Sequence, residues 1–422
     1  MKKKKYTFID LFAGCGGLSE GFLSTGKFEG LAHVEWDMPM VNTLRNRLEK
    51  HWDHSQEDAR RRVVCFDVQK TEELMHGNWS DETKDLYLAK NSQFIADNGI
   101  DGLIPTKGKN GKNTVDLIIG GPPCQAYSIA GRAQSPTGMK DDYRNYLFES
   151  FVKIVDEYQP KVFVFENVPG LLSACPGDKP VRERIYEAFD AIGYQIRTPE
   201  TLKSAVYSAD QFEVPQKRNR IIIIGVKKGS EFTLDEMYKS LDDHKMKGEP
   251  KTVRDAIGKM PPLYPLVTPI KEGRANVSHE QVGGEVIDRH IPRYHNPREQ
   301  RVFSAWVSQN MNKMPLQEKL DYYTQITGKK SNHAKYRSLD WDKPSPTIVA
   351  HLHKDGYMFI HPDAEQARSI TMREAALLQS FPMDYEFVAS NPYCFKMIGN
   401  AVPVKFAQGI AEAVYDVLKK KK

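Results

Sequence analysis

The chain of 422 residues contains no apolar run of eighteen or more, the length a helix needs to cross a bilayer, so no membrane span is expected. It has no CxxC pair. Its five cysteines (Cys15, Cys65, Cys124, Cys175, Cys394) are scattered and odd in number, which argues against a disulfide framework and a structural zinc. The basic start, Met1 to Lys5, leads into an apolar stretch broken by Asp10 and several glycines, unlike a secretion signal. These absences point to a reducing, cytoplasmic compartment. A strong charge of one sign is also lacking, because the net charge is only +5. The excess is concentrated. Between Lys251 and Asp340 there are fifteen Lys plus Arg against nine Asp plus Glu, as expected where a polyanion docks. The end runs Lys2–Lys5 and Lys419–Lys422 read as solvated tails. His351, His353 and His361 lack cysteine or carboxylate neighbours at ligand spacing. They read as surface histidines, and no metal is expected.

The length allows two domains. From the N-terminus, short apolar strands alternate with amphipathic helices. Strands are expected at 6–11, 31–34, 63–66, 115–119, 162–165 and 220–226, and helices at 18–24, 38–50, 146–158 and 181–192. That rhythm implies an α/β fold with a doubly wound, mostly parallel sheet. Between 71 and 113 the pattern weakens, and KGKNGK (107–112) reads as an exposed loop. Near Lys251 the rhythm stops and proline, glycine and aromatic residues increase. We therefore expect a catalytic domain over 1–250, completed by 390–422, and a smaller irregular domain with hinge over 251–370. Helices are expected again at 369–380, capped by Ser369 or Thr371, and at 404–418.

Polar residues recur at the expected strand ends: Asp10, Glu35, Asp67 and Glu166. That edge is where open α/β sheets bind ligands. The turn after the first strand carries Gly14, Gly16 and Gly17, and glycines let backbone N–H groups approach a ligand. The dehydrogenase spacing GxGxxG is not met. Glu35 ends the second strand, where a carboxylate can hold ribose hydroxyls; Trp36 beside it can stack on an adenine. Asp67 can accept from an exocyclic amine. Three such groups along one edge suggest a nucleoside site. Cys124 follows Gly120-Gly121-Pro122-Pro123, a rigid polar turn at a strand end. A thiolate there is a candidate nucleophile, whereas the other four cysteines read as inert buried residues. Glu166, partly buried at the next strand end, can donate a proton. Arg218 and Arg220, in QKRNR (216–220), offer fixed guanidinium donors.

Taken in order, these segments resemble the cytosine-C5 DNA methyltransferases. The motifs are DLFAGCGGLSEGF (10–22), VEWD (34–37), FDV (66–68), GGPPCQAYS (120–128), ENVPG (166–170), QKRNR (216–220), RSLDWDKPSPTI (337–348), SITMREAALLQSFP (369–382) and GNAVPV (399–404). The resemblance spans nearly the whole chain except about 71–113 and 251–336. The stretch between Asp67 and Asp116 is longer than in compact members of the family.

The resemblance implies a Rossmann-like methyltransferase fold with a target-recognition domain in 251–336. It implies methyl transfer from S-adenosylmethionine, leaving S-adenosylhomocysteine, to C5 of a cytosine flipped out of double-stranded DNA. Cys124 would attack C6, and Glu166 would hold N3 and the 4-amino group. Arg220 would contact O2, with Arg218 in support. The cofactor would lie against Phe12, Gly14, Gly16, Gly17, Leu18, Glu35, Trp36, Asp67, Val68, Asn400 and Val402. Gln125 and Ser128 would touch substrate from a lid reaching to Arg144. Arg289, Arg293, Arg298, Arg301, Lys329 and Lys330 are the candidates for phosphate or guanine contacts. A monomer acting on nucleoid DNA, beside a cognate restriction endonuclease or other defence components, fits this reading. Two rivals remain. One is an RNA (tRNA) cytosine-C5 methyltransferase, a branch that typically carries Cys-Phe-Thr after Glu-Asn-Val, where this chain has Leu171-Leu-Ser-Ala-Cys175. The other is a non-catalytic DNA-binding regulator, against which the intact Cys124, Glu166 and Arg220 speak.

Overall fold

The computed structural model describes residues 5–105, 115–123, 147–176, 178–273, 275–354 and 356–420. Cys124, Gln125, Ser128, the lid to Arg144 and the KGKNGK loop lie outside the described residues. The chain divides into two compact units: residues 1–212, 218–247 and 401–422, and residues 213–217 and 248–400.

The first unit is built on a sheet of eight strands. These are β1 (Tyr6–Leu11), β2 (Phe28–Glu35), β3 (Val63–Cys65), β4 (Leu117–Gly120), β5 (Val162–Asn167), β6 (Tyr194–Gln195), β7 (Val206–Ser208) and, after a two-residue strand β8 (Gln216–Lys217) of the second unit, β9 (Asn219–Lys227). The order is β3-β2-β1-β4-β5-β9-β6, with β7 also paired to β9. The first five strands are parallel. Phe8, Ile9, Leu117, Ile118, Phe163 and Val164 are fully buried. Strands apolar on both faces are what helices covering both sides of a parallel sheet require. The mostly parallel α/β fold expected from the sequence is therefore found. The expected sixth strand, β9, runs antiparallel to β5, a direction that apolar content alone does not encode. Chain order reverses between β1 and β4, the switch point where such sheets open a ligand crevice. Leu11 pairs with Val34 on one side and Gly120 on the other, and Gly120 pairs with Phe165. Phe12, Glu35, Gly121 and Glu166 are thus the next residues along one edge.

The stretch where periodicity weakens folds as short helices, Thr71–His76, Asp81–Tyr87 and Gln93–Asn98. Ser80 and Ser92 cap the last two through the backbone N–H groups of Thr83 and Ile95. Another helix, Gln56–Arg62, was not expected either.

The second unit holds a short helix, Val253–Ile257, capped by Thr252, then a hairpin, β10 (Leu263–Glu272) against β11 (Ala275–Gln281), and adds β12 (Ser345–Pro346) beside β8. Two helices, Pro297–Ser308 and Leu316–Thr327, lie in the region expected to be irregular. Their core is Val302, Phe303, Trp306, Met311, Tyr336 and Ile360. The expected helix at 369–380 covers Met372–Leu378, and Thr371 with Glu374 forms a reciprocal capping box. His361 is not a surface histidine. It is 2% exposed, 3.7 Å from Glu374, which also pairs with buried Arg368 at 2.7 Å. His353 is half-buried and His351 exposed.

Candidate active site

The loop after β1 is held under strain. Phe12 has φ +62°, a left-handed conformation that costs a non-glycine residue about 1 kcal/mol. Gly14 and Gly16 adopt the same region at +57° and +89°. The loop is fixed by Ala13 N–H donating to the Val34 carbonyl at 2.9 Å and by Gly14 N–H donating to Glu35 Oε2 at 2.9 Å. The other Glu35 oxygen accepts from the N–H groups of Trp36 and Asp37, both at 2.9 Å. Burial pushes the Glu35 carboxyl above its ordinary value, and these backbone donors oppose the shift. The carboxylate therefore ties the glycine loop to the end of β2. Trp36 beside it is 62% exposed, a large ring with an open face.

Below this loop lies a buried chain that the sequence did not single out. Ser19 bridges Asp10 Oδ2 at 2.5 Å and His33 Nδ1 at 2.7 Å. Burial raises the Asp10 carboxyl to about 7 and lowers His33 to about 3. The helix Gly17–Ser24 starts where it does because Gly17 has no side chain. A Cβ there would lie 2.4 Å from the Val402 carbonyl oxygen, so backbone meets backbone. Leu18, Val68 and Val402 are buried. Asp67 lies two residues past β3 and accepts from Gln69 N–H at 3.0 Å. Asn400 is exposed at the end of the helix Asn391–Asn400, within the second unit.

The second half of the edge is formed by β4, β5 and β9. Glu166, 8% exposed, pairs with Arg220 at 2.7 Å from its Nε. Gly121 is the seat of that carboxylate, since a Cβ there would sit 2.8 Å from Glu166 Oε2. Asn167 donates from Nδ2 to the Pro122 carbonyl at 3.3 Å, and its Oδ1 accepts from Val168 N–H at 2.8 Å. Asn167 thereby ties the Gly-Pro-Pro turn to the end of β5, two residues before Cys124 in sequence. The roles of Gly121 and Asn167 were missed, although both stand inside motifs that were noticed. Arg218 is 2% exposed, with its carbonyl accepting from Ala209 N–H at 2.9 Å. Three of the other cysteines, Cys15, Cys65 and Cys394, are buried as expected, but Cys175 is exposed. Among the described residues no group of three His, Cys, Asp or Glu is arranged to hold a metal ion, and no helix is long and apolar enough to cross a membrane.

Comparison with known proteins identifies the family and the fold. The model of the family described as C-5 cytosine-specific DNA methylase matches residues 6–77 and 63–416. The type II methyltransferase M.Bpa9945I of Bacillus paralicheniformis is 34% identical, covering 97% of this chain and 98% of its own. The type II methyltransferase M1.HphI of Haemophilus parahaemolyticus is 32% identical, covering 97% and 86%. Among solved structures, a candidate DNA modification methyltransferase encoded within an E. coli prophage superposes with a TM-score of 0.57 at 23% identity, over 98% of this chain and 100% of its own. The S. pombe Dnmt2 methyltransferase gives 0.51 at 14% identity, over 99% of each. These two share the fold.

Proposed function

The chain belongs to the C-5 cytosine-specific DNA methylase family, and on that premise we propose that it methylates C5 of a flipped-out cytosine in duplex DNA through a covalent bond from Cys124. The observation that carries this reading is the Glu166–Arg220 pair seated on Gly121, with Asn167 tied to Pro122. A carboxyl group and a guanidinium side by side complement one edge of cytosine: Glu166 accepts from the 4-amino group and donates a proton to N3, and Arg220 donates to O2. Arg218 supports that site. Polar groups fixed in advance stabilise charge that develops on the ring.

Cytosine C5 is a poor nucleophile. Bond formation from the Cys124 sulfur to C6 makes the ring enamine-like, so that C5 takes the methyl group. Loss of the C5 proton then lets the C6–S bond break, which restores the aromatic ring and the thiolate. Gln125 and Ser128 are assigned to the substrate side. The strained Phe12 loop, Glu35 and exposed Trp36 suit an adenosyl group, through ribose hydroxyls on the carboxylate and adenine on the indole. Gly14, Gly16, Gly17, Leu18, Asp67, Val68, Asn400 and Val402 complete the proposed cofactor set. When bound, S-adenosylmethionine supplies an electrophilic methyl group and leaves as S-adenosylhomocysteine.

Residues 251–336 of the second unit are assigned to target recognition, in line with the basic excess of 251–340. Curated relatives named type II methyltransferases support a place beside a restriction endonuclease, and we assign the chain as a monomer on nucleoid DNA. The test is trapping on a duplex bearing 5-fluorocytosine in the presence of S-adenosylmethionine. Wild type should form a denaturation-resistant adduct and Cys124→Ser should not. Equal trapping by both would refute the nucleophile, and methylation of tRNA alone would refute the substrate.

A further inference from the structure

Six basic residues of the second unit were candidates for DNA contacts, and their surroundings differ. Arg289 donates to Asn391 Oδ1 at 2.6 Å and to the Ala389 carbonyl at 2.9 Å. Arg293 lies over the Tyr357 ring at 4.9 Å and donates to the His353 carbonyl at 3.3 Å. Both hold the unit together. Arg298 and Arg301 are exposed on the helix Pro297–Ser308, with no hydrogen bond or ion pair among the described residues.

The helix carries both on its exposed side. Arg298, Arg301 and Ser308 fall within roughly 80° of one another at 3.6 residues per turn, and Ala305 between them packs against the core. The opposite face buries Val302, Phe303 and Trp306. The one acidic residue, Glu299, is turned inward, accepting from the Tyr357 hydroxyl and pairing with His295 at 3.3 Å. No carboxylate therefore neutralises the outer face from within the helix, and beyond the arginines its side chains are small. The mounting is firm. Asn296 caps the helix through Glu299 N–H at 3.0 Å. Trp306 Nε1 donates to Asn312 Oδ1 at 2.8 Å, and Asn312 in turn donates to the Ser338 carbonyl at 2.9 Å. That fixes the turn leading to Leu316–Thr327. A helix of this length spans about 18 Å and fits a major groove about 12 Å wide.

We propose that Pro297–Ser308 is a base-reading helix that enters the DNA major groove, with Arg298 and Arg301 reading guanines through their forked donors. The partner follows from the chemistry of the face: guanine offers O6 and N7 as paired acceptors, which the rigid fork of a guanidinium matches more closely than a flexible ammonium does. The small exposed residue Ser308 lets the helix backbone approach the base edges. The inference rests on the duplex-DNA reading above and adds which residues set the sequence.

The test compares wild type with Arg298→Ala, Arg301→Ala, Arg298→Lys and Arg301→Lys on a duplex library of randomised context, read by bisulfite sequencing. At a guanine contacted by the altered residue, both Ala and Lys variants should lose preference by about 5- to 150-fold. Arginines bound to phosphate instead would give near-normal Lys variants, and Ala variants weakened uniformly across sequences with a shallower salt dependence. That result, or an unchanged context in all four variants, overturns the proposal. Selecting the same library by binding reads the preference without methyl transfer, so failure of the catalytic reading and failure of this one are separable. Thermal unfolding should be unchanged in all four, because both side chains are exposed.

Discussion

Arg220 Nε lies 2.7 Å from Glu166 Oε1, where antiparallel β9 meets parallel β5. The pair joins the two strands whose directions differ, and both side chains are largely buried. Charge-assisted hydrogen bonds in such a setting are short and directional. Glu166→Gln keeps the shape and removes the charge. It should lower kcat/KM for methyl transfer by about 100- to 1,000-fold, measured by single-turnover labelling. Arg220→Lys keeps the charge and loses the fork, and should fall by at least tenfold. Wild-type rates in either variant would remove the pair from the chemistry.

Gly121→Ala tests the seat of the same carboxylate. Its new Cβ would meet Glu166 Oε2 at 2.8 Å, so the carboxylate must move. Misplacement on that scale costs about 100-fold in rate. The melting temperature should change far less than the activity. Gly17→Ala is a different case, because its Cβ would meet the Val402 carbonyl oxygen at 2.4 Å. Backbone cannot swing away as a side chain can. Methyl-donor affinity and stability should therefore fall together, in calorimetric titration and in thermal unfolding.

These positions show how far the sequence could be read. β1 was legible to the residue, because an apolar run ends at Asp10 and glycines follow. Glu35, Glu166 and the glycine loop were legible as strand-end polar groups. The antiparallel direction of β9 was not, since a buried strand is apolar whichever way it runs. The four short helices at 56–62 and 71–98 were hidden because each is too short to show a period. The helix Pro297–Ser308 was missed for another reason: its apolar stripe is only Val302, Phe303 and Trp306, set among prolines and aromatics that read as loop. Gly121 and Asn167 act through contacts across strands, which local sequence does not display.

Arg368 and Glu374 form a bidentate pair with both bonds at 2.7 Å and both side chains at most 1% exposed. The Arg368 guanidinium outweighs burial and holds the Glu374 carboxyl well below the usual carboxylate range. Glu374 also accepts from Thr371 N–H at 2.7 Å in the capping box. Glu374→Ala would leave a buried guanidinium unpaired and a helix uncapped. The expected loss is about 3–5 kcal/mol, read by denaturant unfolding. A loss under about 1 kcal/mol would show that water reaches the site.

Acid should weaken the second unit through its buried histidines. Burial lowers His279 to about 4 and His361 to about 3, and also depresses His290 and His295. Burial keeps each neutral, against the carbonyls of Gln366 at 2.9 Å from His279 and of Pro261 at 2.8 Å from His290, which favour the charged ring. In the unfolded chain a histidine titrates near 6.5. Below that pH the unfolded state takes up protons that the folded state refuses, so stability falls. The histidine contribution is complete above about pH 6.5 and is lost as the pH drops towards the folded values. Each histidine adds at most about 1.4 kcal/mol per pH unit in that window. In the first unit His33, lowered to about 3, acts in the same direction, whereas Asp10, raised to about 7, takes up its proton first in the folded state and opposes the loss below that pH. Glu374 adds its loss only below about 4.5, its ordinary value. The five depressed histidines outnumber Asp10 and Glu35, whose raised carboxyls oppose them, so unfolding free energies should decline between about pH 6.5 and 5, and His279→Gln should reduce the slope. A flat profile over that range would mean these histidines accept protons without disturbing the fold.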